Sequence, residues 1–474
     1  MCSKDNCKKP TAATIAAVST PPGVSALAVI RITGPEAADC CQLLFKPANS
    51  HFLDPLKMTG YTLAYGNWYA TPEQTELLDQ VVLACFRAPH SYTGEDVFEI
   101  SCHGSLYGVQ AILDSIYQLG VTPAGPGEFS KRAFINGKLD LTKAEAVIDL
   151  IETESKERSK YALRQLQGAI KEQVQALSEA LYGELARLEL MLEFPEFEDT
   201  PQVRELLLSN LSEVGDKAAS LSDGYRRGRM IREGIKVALV GKPNAGKSTL
   251  FNDLLAADKA IVTDIPGTTR DTIEGRLIID GMIVTLIDTA GLRETLDPVE
   301  QVGVERSRSA LSTADQVLWL IDSDSDETEI ASQATEITNL SVPIIVVLSR
   351  SDLTTADKMS ASIAIVERLT GRRPLIYSHK NPEQLPILRS ALLDVYRELA
   401  HGDAEVVTNA RHSRHFRAVA DLLAEAKNLI EQNMPLEIGA SVLRSAIEQL
   451  AEITGEQVSE TLVENIFSRF CVGK

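Results

Sequence analysis

What this 474-residue chain lacks is informative before any motif is considered. No run approaches the ~18 consecutive apolar residues that a membrane-spanning helix needs, so no membrane span is expected. The opening stretch Met1-Cys2-Ser3-Lys4-Asp5-Asn6-Cys7 has no apolar signal core, which argues against secretion. The 7 cysteines, at positions 2, 7, 40, 41, 85, 102 and 471, include no C-x-x-C pair and are odd in number. That pattern fits a reduced, cytoplasmic protein without a structural zinc site. Basic charge is also scarce: 47 Lys and Arg stand against 66 Asp and Glu, a formal net charge of −19. That balance argues against a broad grip on nucleic acid, which needs clustered cations against the phosphates. Nucleic acid would have to be held by a local patch or by a partner. Two clusters are candidates, Arg226, Arg227, Arg229 and Arg232, then Arg411, His412, Arg414, His415 and Arg417; each also reads as a solvated helix face. No internal repeat or low-complexity tract is present.

What is there is a soluble composition, 44% hydrophobic and 24% charged, over a length that suits about two to four domains. The most specific stretch is Gly241-Lys242-Pro243-Asn244-Ala245-Gly246-Lys247-Ser248, which fits the phosphate-binding pattern G-x-x-x-x-G-K-[ST]. The buried-strand pattern Ile235–Val240 precedes it, and a helix starting around Thr249–Leu255 follows. The two glycines let successive backbone N–H groups face the phosphates. Lys247 is placed to reach the β- and γ-phosphates, and the Ser248 hydroxyl to hold Mg²⁺.

Further signals follow in the order a nucleotide hydrolase requires. Gly267-Thr268-Thr269-Arg270-Asp271 reads as a switch loop in which Thr269 supplies a hydroxyl to Mg²⁺. The strand pattern Ile283–Ile287 runs into Asp288-Thr289-Ala290-Gly291, where Asp288 supports Mg²⁺ and the Gly291 N–H senses the γ-phosphate. A third strand pattern, Ile344–Leu348, ends in Ser349-Arg350-Ser351-Asp352. Guanine-specific proteins usually carry Asn-Lys-x-Asp here. Asp352 still argues for guanine, since adenine lacks the N1–H and 2-amino donors this carboxylate accepts. Serine at 349 is too short to supply all of asparagine's bracing and base contact, while the stem of Arg350 can still lie over the ring. Ser378-His379-Lys380 occupies the place of the final guanine loop.

One absence bears on catalysis. The position after Asp-x-x-Gly, where Ras-like proteins carry a water-orienting glutamine, is Leu292. Another group must orient the water, and Glu300 is the best nearby carboxylate. Asn244, with backbone oxygens of the switch loop, can hold a monovalent cation that stabilises transition-state charge.

Elsewhere the chain changes character. Residues 11–130 mix strand-like runs (26–32, 80–86) with a helix over 104–119. From 138 onward, Leu163, Leu166, Ile170, Val174, Leu177, Leu181, Leu185 and Leu188 form one stripe on a single long helix that ends at Phe194-Pro195. A helical stretch over 202–232 leads to the phosphate loop, and residues 234–397 alternate strand and helix as a parallel sheet does. After 403, stripes at 416, 419, 423, 426, 430 and at 443, 447, 450, 453 return to helix. The simplest solution packs the two helical regions together with the 234–397 domain inserted between them.

These motifs carry a family resemblance. With Thr20-Pro21-Pro22-Gly23, Ser91-Tyr92-Thr93-Gly94-Glu95-Asp96, Pro126-Gly127-Glu128-Phe129 and the ending Phe470-Cys471-Val472-Gly473-Lys474, the chain resembles the MnmE (TrmE) family of tRNA-modification GTPases over nearly its whole length. The resemblance implies an α/β and α architecture in four chain segments. These are an N-terminal α/β folate-binding-like dimerisation domain (1–136), the first part of a helical domain (137–233), an inserted Ras-like P-loop G domain with a mostly parallel sheet (234–397), and the second helical part (398–474). It further implies a homodimer that joins an FAD-dependent partner, MnmG (GidA), as a heterotetramer. Together they would add an aminomethyl or carboxymethylaminomethyl group to C5 of the wobble uridine of certain tRNAs, drawing on a tetrahydrofolate one-carbon donor. Family folate contacts fall on Arg31, Glu99, Lys138 and Lys474. Potassium ligands fall on Asn244, Thr263, Ile265 and Thr268, and Mg²⁺ ligands on Ser248 and Thr269. The water-orienting glutamate falls on Glu300. The nucleotide-contacting set then spans Asn244, Ala245, Gly246, Lys247, Ser248 and Thr249 of the loop, Thr263, Asp264, Ile265, Pro266, Gly267, Thr268 and Thr269 of the switch, Asp288, Thr289, Ala290 and Gly291, and Ser349, Arg350, Asp352 and Ser378 at the base. Cys471 reads either as a reactive thiol beside a lysine or as a small packing group. Without the folate features the same G domain would suit a regulatory GTPase of ribosome assembly or signalling.

Overall fold

The computed structural model describes residues 13–48, 54–195, 199–256, 273–288, 313–337, 340, 342–400 and 406–474. It divides into two compact units, one of Met1–Glu152, Ala162–Gly215 and Ala418–Lys474, the other of Thr153–Tyr161 and Asp216–Arg417.

The first unit contains a seven-stranded sheet, in spatial order β3 (Phe45–Pro47), β4 (Thr62–Tyr69), β5 (Leu77–Phe86), β6 (Val97–Gly104), β2 (Ser25–Thr33), β1 (Ile15–Val18), β7 (Thr122–Pro123). All pairs are antiparallel except β1 with β7. Side chains alternate across such strands. On one face Ile30, Ile32, Leu83, Cys85, Phe98 and Ile100 pack beneath helices Ala37–Leu44 and Leu106–Tyr117. Register places Arg31 opposite Glu99, Glu99 opposite Ala84, and Ala84 opposite Leu63, so the other face carries a charged pair. That same face leaves Leu63, Tyr65 and Val82 exposed.

Helix Ala169–Glu193 buries Ile170, Val174, Leu177, Leu181 and Leu188 and packs along helix Leu436–Thr454. Arg444 reaches Glu189 at 2.8 Å across that pair. The stripe expected on one long helix is in fact divided. Helix Lys156–Gln167 stops, Gly168 adopts φ +110°, and Ala169–Glu193 begins anew. Leu163, counted in the stripe, is 45% exposed. Glycine at the junction lets the chain turn where a side chain would resist it. The expected 202–232 helix likewise divides at Gly224, into Pro201–Asp223 and Tyr225–Glu233.

The second unit holds a six-stranded sheet, in order β13 (Leu375–Ile376), β12 (Ile344–Ser349), β11 (Gln316–Asp322), β8 (Ile235–Val240), β10 (Met282–Asp288), β9 (Ile273–Ile279). Every pair is parallel except β9 with β10. Val237, Leu239, Leu318 and Leu320 enter one core layer and Ala238, Val317, Trp319 and Ile321 the other. Burial on both faces is why these strands read as unbroken apolar runs. Among the described residues no helix is long and apolar enough to cross a membrane.

Candidate nucleotide site and a charged cluster on the N-terminal sheet

Strand β8 lies inside the second sheet and delivers the phosphate loop at its C-terminal edge. The loop runs from Gly241 to Gly246, and helix Lys247–Ala256 follows directly. Gly241 has φ +151°, and a Cβ there would lie 2.3 Å from the Leu320 carbonyl oxygen of β11. Gly246 has φ +88° and Asn244 φ +64°, so three positions take left-handed backbone in one short loop. Lys247 is buried, and its Nζ donates to the carbonyls of Gly241 (2.8 Å) and Lys242 (2.6 Å). The ammonium thus curls over the loop, at the head of a helix, and helix N-termini favour anions. Ser248 and Thr249 follow in the first turn, both exposed. Asp288 closes β10 in register with Leu239, so this buried carboxylate emerges at the sheet edge that carries the loop. Thr263 to Thr269, Thr289 to Gly291 and Glu300 lie outside the described residues.

At the base-recognition end, β12 finishes at Ser349, which is fully buried. Its hydroxyl lies 2.7 Å from the Ala245 carbonyl of the phosphate loop and 3.2 Å from that of Ile321. The short side chain therefore supplies part of the bracing, because the loop backbone lies close enough for a hydroxyl to reach. Arg350 takes φ +57° and directs Nη1 to Asp322 at 3.0 Å, tying it to the end of β11. Asp352 is held at both oxygens: the Ser378 hydroxyl donates to Oδ1 at 2.6 Å and Lys380 Nζ lies 2.9 Å from Oδ2. These contacts, the Ser378 hydrogen bond foremost and Lys380 next, hold the carboxyl below the usual carboxylate range. An ionised Asp352 with spare acceptor capacity is what the guanine edge demands. Gln384 was not foreseen in the sequence; its Oε1 accepts from the Ser378 N–H at 2.8 Å and fixes the loop from below.

A second cluster forms on the open face of the first sheet. Arg31 contacts Glu99 Oε1 through Nε at 2.9 Å and Nη2 at 2.8 Å. Its guanidinium also lies over the rings of Tyr92 and Phe129, with 5.2 and 5.5 Å to the centroids. The segment 470–474 docks beside it. Val472 bridges to Pro126, the Ser19 hydroxyl donates to the Gly473 carbonyl at 3.0 Å, and Arg31 Nη1 donates to the same carbonyl at 3.4 Å. Gly473 has φ +94°, and a Cβ would fall 2.1 Å from the Val18 carbonyl oxygen. Lys474 is half-buried; burial first, then Arg31, pushes its ammonium pKa down, while Glu99 opposes the shift. Three of the four residues expected to contact folate thus come together. Lys138 is exposed and packs at Gly94, on the turn that also carries Tyr92.

Comparison with known proteins settles the family. A family model described as the MnmE helical domain matches residues 141–471, and one described as the GTP-binding protein TrmE N-terminus matches residues 14–138. The tRNA modification GTPase MnmE of Carboxydothermus hydrogenoformans is 38% identical over 467 residues, covering 97% of this chain and 99% of that protein. This chain belongs to the MnmE family of tRNA-modification GTPases. The relative from Geobacillus thermodenitrificans is 36% identical over 97% of this chain. Among solved structures, the G domain of the T. maritima FeoB iron transporter aligns with 34% of this chain and 98% of its own length at 26% identity, with a TM-score of 0.27. As a member of the MnmE family, the chain is a GTP-binding enzyme that hydrolyses GTP in tRNA modification.

Two other sets of residues have defined places in this MnmE-family chain. The arginine clusters are largely engaged. Arg229 pairs with Asp315 and with Glu233, Arg417 pairs with Asp223, and Arg227 lies over Tyr396. Arg411 and His412 are buried, and Arg226 and Arg414 are exposed. The cysteines among the described residues divide by burial. Cys40, Cys41, Cys85 and Cys102 are core residues, and burial pushes Cys40 up to about 12 and Cys102 to about 11. Cys102 directs its Sγ to the Ala28 carbonyl while His103 turns to Asp79 on the opposite face, so the two form no catalytic pair. Cys471 is exposed, so its thiol is not a core packing group.

Proposed function

We propose that the chain couples GTP hydrolysis to a one-carbon transfer from a tetrahydrofolate derivative (5,10-methylene- or 5-formyl-tetrahydrofolate). The transfer would, with an FAD-dependent MnmG (GidA) partner, place an aminomethyl or carboxymethylaminomethyl group on C5 of the wobble uridine of certain tRNAs in the cytoplasm. The observation that carries the folate part is the convergence of Arg31, Glu99 and Lys474 from the two ends of the described chain onto one open sheet face. A carboxylate there suits the donor edge of a pterin, and cations suit the ligand's own carboxylates. Residues 1–136 would form this folate-binding and dimerisation domain, 137–233 with 398–474 the helical domain, and 234–397 the G domain. Leu63, Tyr65 and Val82, exposed on the sheet face, offer the apolar area a homodimer would cover.

In the G domain, Lys247 would leave its loop carbonyls for the phosphates, and Asp352 would accept from guanine N1–H and the 2-amino group. Bound Mg²⁺, held by Ser248 and Thr269 with Asp288 in support, would supply charge neutralisation at the phosphates. K⁺, held by Asn244, Thr263, Ile265 and Thr268, would supply further positive charge as two G domains meet. Asn244 fits that role in its left-handed backbone, a conformation asparagine tolerates on an exposed loop. Glu300 would position the attacking water, since Leu292 cannot. The decisive test is titration of 5-formyltetrahydrofolate against the chain and an Arg31→Ala variant. Tight binding by the first and weak binding by the second is expected; binding by neither ends the folate reading. GTP turnover that is equal in K⁺ and in Na⁺ buffers would end the cation reading.

A further inference from the structure

Helix Lys247–Ala256 begins with the phosphate-binding lysine, and two turns on it carries Asp253. This carboxylate faces the guanine loop. The Tyr377 hydroxyl donates to Asp253 Oδ2, and His379 Nδ1 lies 2.8 Å from Oδ2 and 3.0 Å from Oδ1. Tyr377 and His379 flank Ser378, the residue whose hydroxyl holds Asp352 at 2.6 Å. Tyr377 is buried, and its N–H donates to the Leu348 carbonyl of β12. A mere need to satisfy a buried phenol would explain the first contact. It does not explain the second, because His379 is 68% exposed and gains nothing from shelter. Two contacts on either side of one serine clamp the short segment rather than a single ring.

We propose that Asp253 is a positioning residue for guanine selectivity. It anchors the Tyr377–His379 segment to the phosphate-loop helix, which fixes Ser378 and hence the rotamer of Asp352. The device has a reason in this chain. Ser349 and Arg350 stand where Asn-Lys is usual; the first bonds the backbone carbonyls of Ala245 and Ile321 and the second is turned toward Asp322. The base pocket must therefore take its order from elsewhere. Asp253 lies about 9 Å along the helix axis from Lys247, at 1.5 Å per residue, so the base loop is referenced to the element that carries the phosphates.

This proposal rests on the reading of the nucleotide as guanine, and the experiment separates the two. Displacement of a fluorescent GDP analogue from the full-length chain gives Kd for GDP, IDP and ADP. IDP lacks the 2-amino group and keeps only one of the two donors to Asp352. The wild type should prefer GDP over IDP and IDP over ADP; a wild type without that order refutes the guanine reading itself. In Asp253→Ala the GDP affinity should fall about tenfold, IDP about threefold and ADP not at all, so that the GDP-to-IDP ratio shrinks, while kcat at saturating GTP stays within about twofold. Asp253→Asn should retain part of the ratio, because its amide oxygen still accepts from Tyr377. Tyr377→Phe removes one of the two clamp contacts and keeps the buried ring; it should shrink the ratio in the same direction by a smaller factor, which covers the case of Asp253→Ala failing to fold. An unchanged ratio in Tyr377→Phe and Asp253→Ala overturns the proposal. So does an equal loss for all three nucleotides, which would mark general damage to the phosphate helix.

Discussion

Replacing Gly473 by alanine should detach the 470–474 segment and empty the charged cluster of Lys474. The added Cβ would sit 2.1 Å from the Val18 carbonyl oxygen and 2.9 Å from Ser19 Cα, both backbone atoms that cannot rotate aside. The residue also has φ +94°, where an L side chain costs about 1–2 kcal/mol. Moving away to relieve the clash forfeits the bonds from Ser19 and Arg31 to the Gly473 carbonyl, worth about 0.5–1.5 kcal/mol each. Together these oppose docking by about 2–5 kcal/mol, a shift of roughly 30-fold or more in the docked-to-free ratio. Gly120→Ala is the control. It shares a positive φ of +89°, but nothing lies within 4 Å of its Cβ position, so only the backbone cost remains. Calorimetric titration with 5-formyltetrahydrofolate reads the outcome: Gly473→Ala should lose most binding, Gly120→Ala should keep it, and intrinsic GTP turnover should not change in either. Gly473→Ala binding within about twofold of wild type would refute the argument that the docked tail completes the site.

Other expectations concern the nucleotide end. Ser349→Ala removes the hydroxyl bond to the phosphate loop and should lower stability by about 0.5–1.5 kcal/mol with a measurable rise in the GDP dissociation rate, seen by thermal unfolding and stopped-flow release. Gly241→Ala places a Cβ 2.3 Å from a β11 carbonyl, so the loop must shift; GTP affinity should fall about tenfold or more in equilibrium titration. Asp352 carries a depressed pKa, so its contribution to guanine binding is present above the ordinary aspartate range and fades only as pH falls through the lowered value. GDP affinity should therefore stay flat from about pH 8 to about pH 5, and Ser378→Ala, which removes the largest cause, should move the acid limb to higher pH.

Much of this was legible from local signals. The phosphate loop announces itself because its chemistry demands particular residues at fixed spacing, and the strands of the second sheet because burial on both faces leaves no polar position. The buried stripes of the late helices, Val419 to Ile430 and Leu443 to Ile453, were equally plain. The long-helix reading failed at Gly168, since an apolar stripe keeps its phase across a short break and periodicity cannot see a single left-handed residue. The bond from Ser349 to the phosphate loop is invisible in sequence, because only the fold brings the Ala245 carbonyl within reach of a hydroxyl. Arg31, Glu99 and Lys474 look like surface charges in isolation; only strand register and the docked tail join them. Asp253 sits mid-helix with no motif to flag it, and its partners lie 124 and 126 positions away.

The tie between Arg31 and Gly473 spans 442 positions and sets an order of events during synthesis. An emerging polypeptide folds from its N-terminal side, so the first sheet can form long before its charged face is finished. A ribosome that stalls before the last residues would leave that face without the Gly473 carbonyl that Ser19 and Arg31 hold and without the cation that Lys474 brings. The charged face would thus be finished last, however early the strands beneath it had paired.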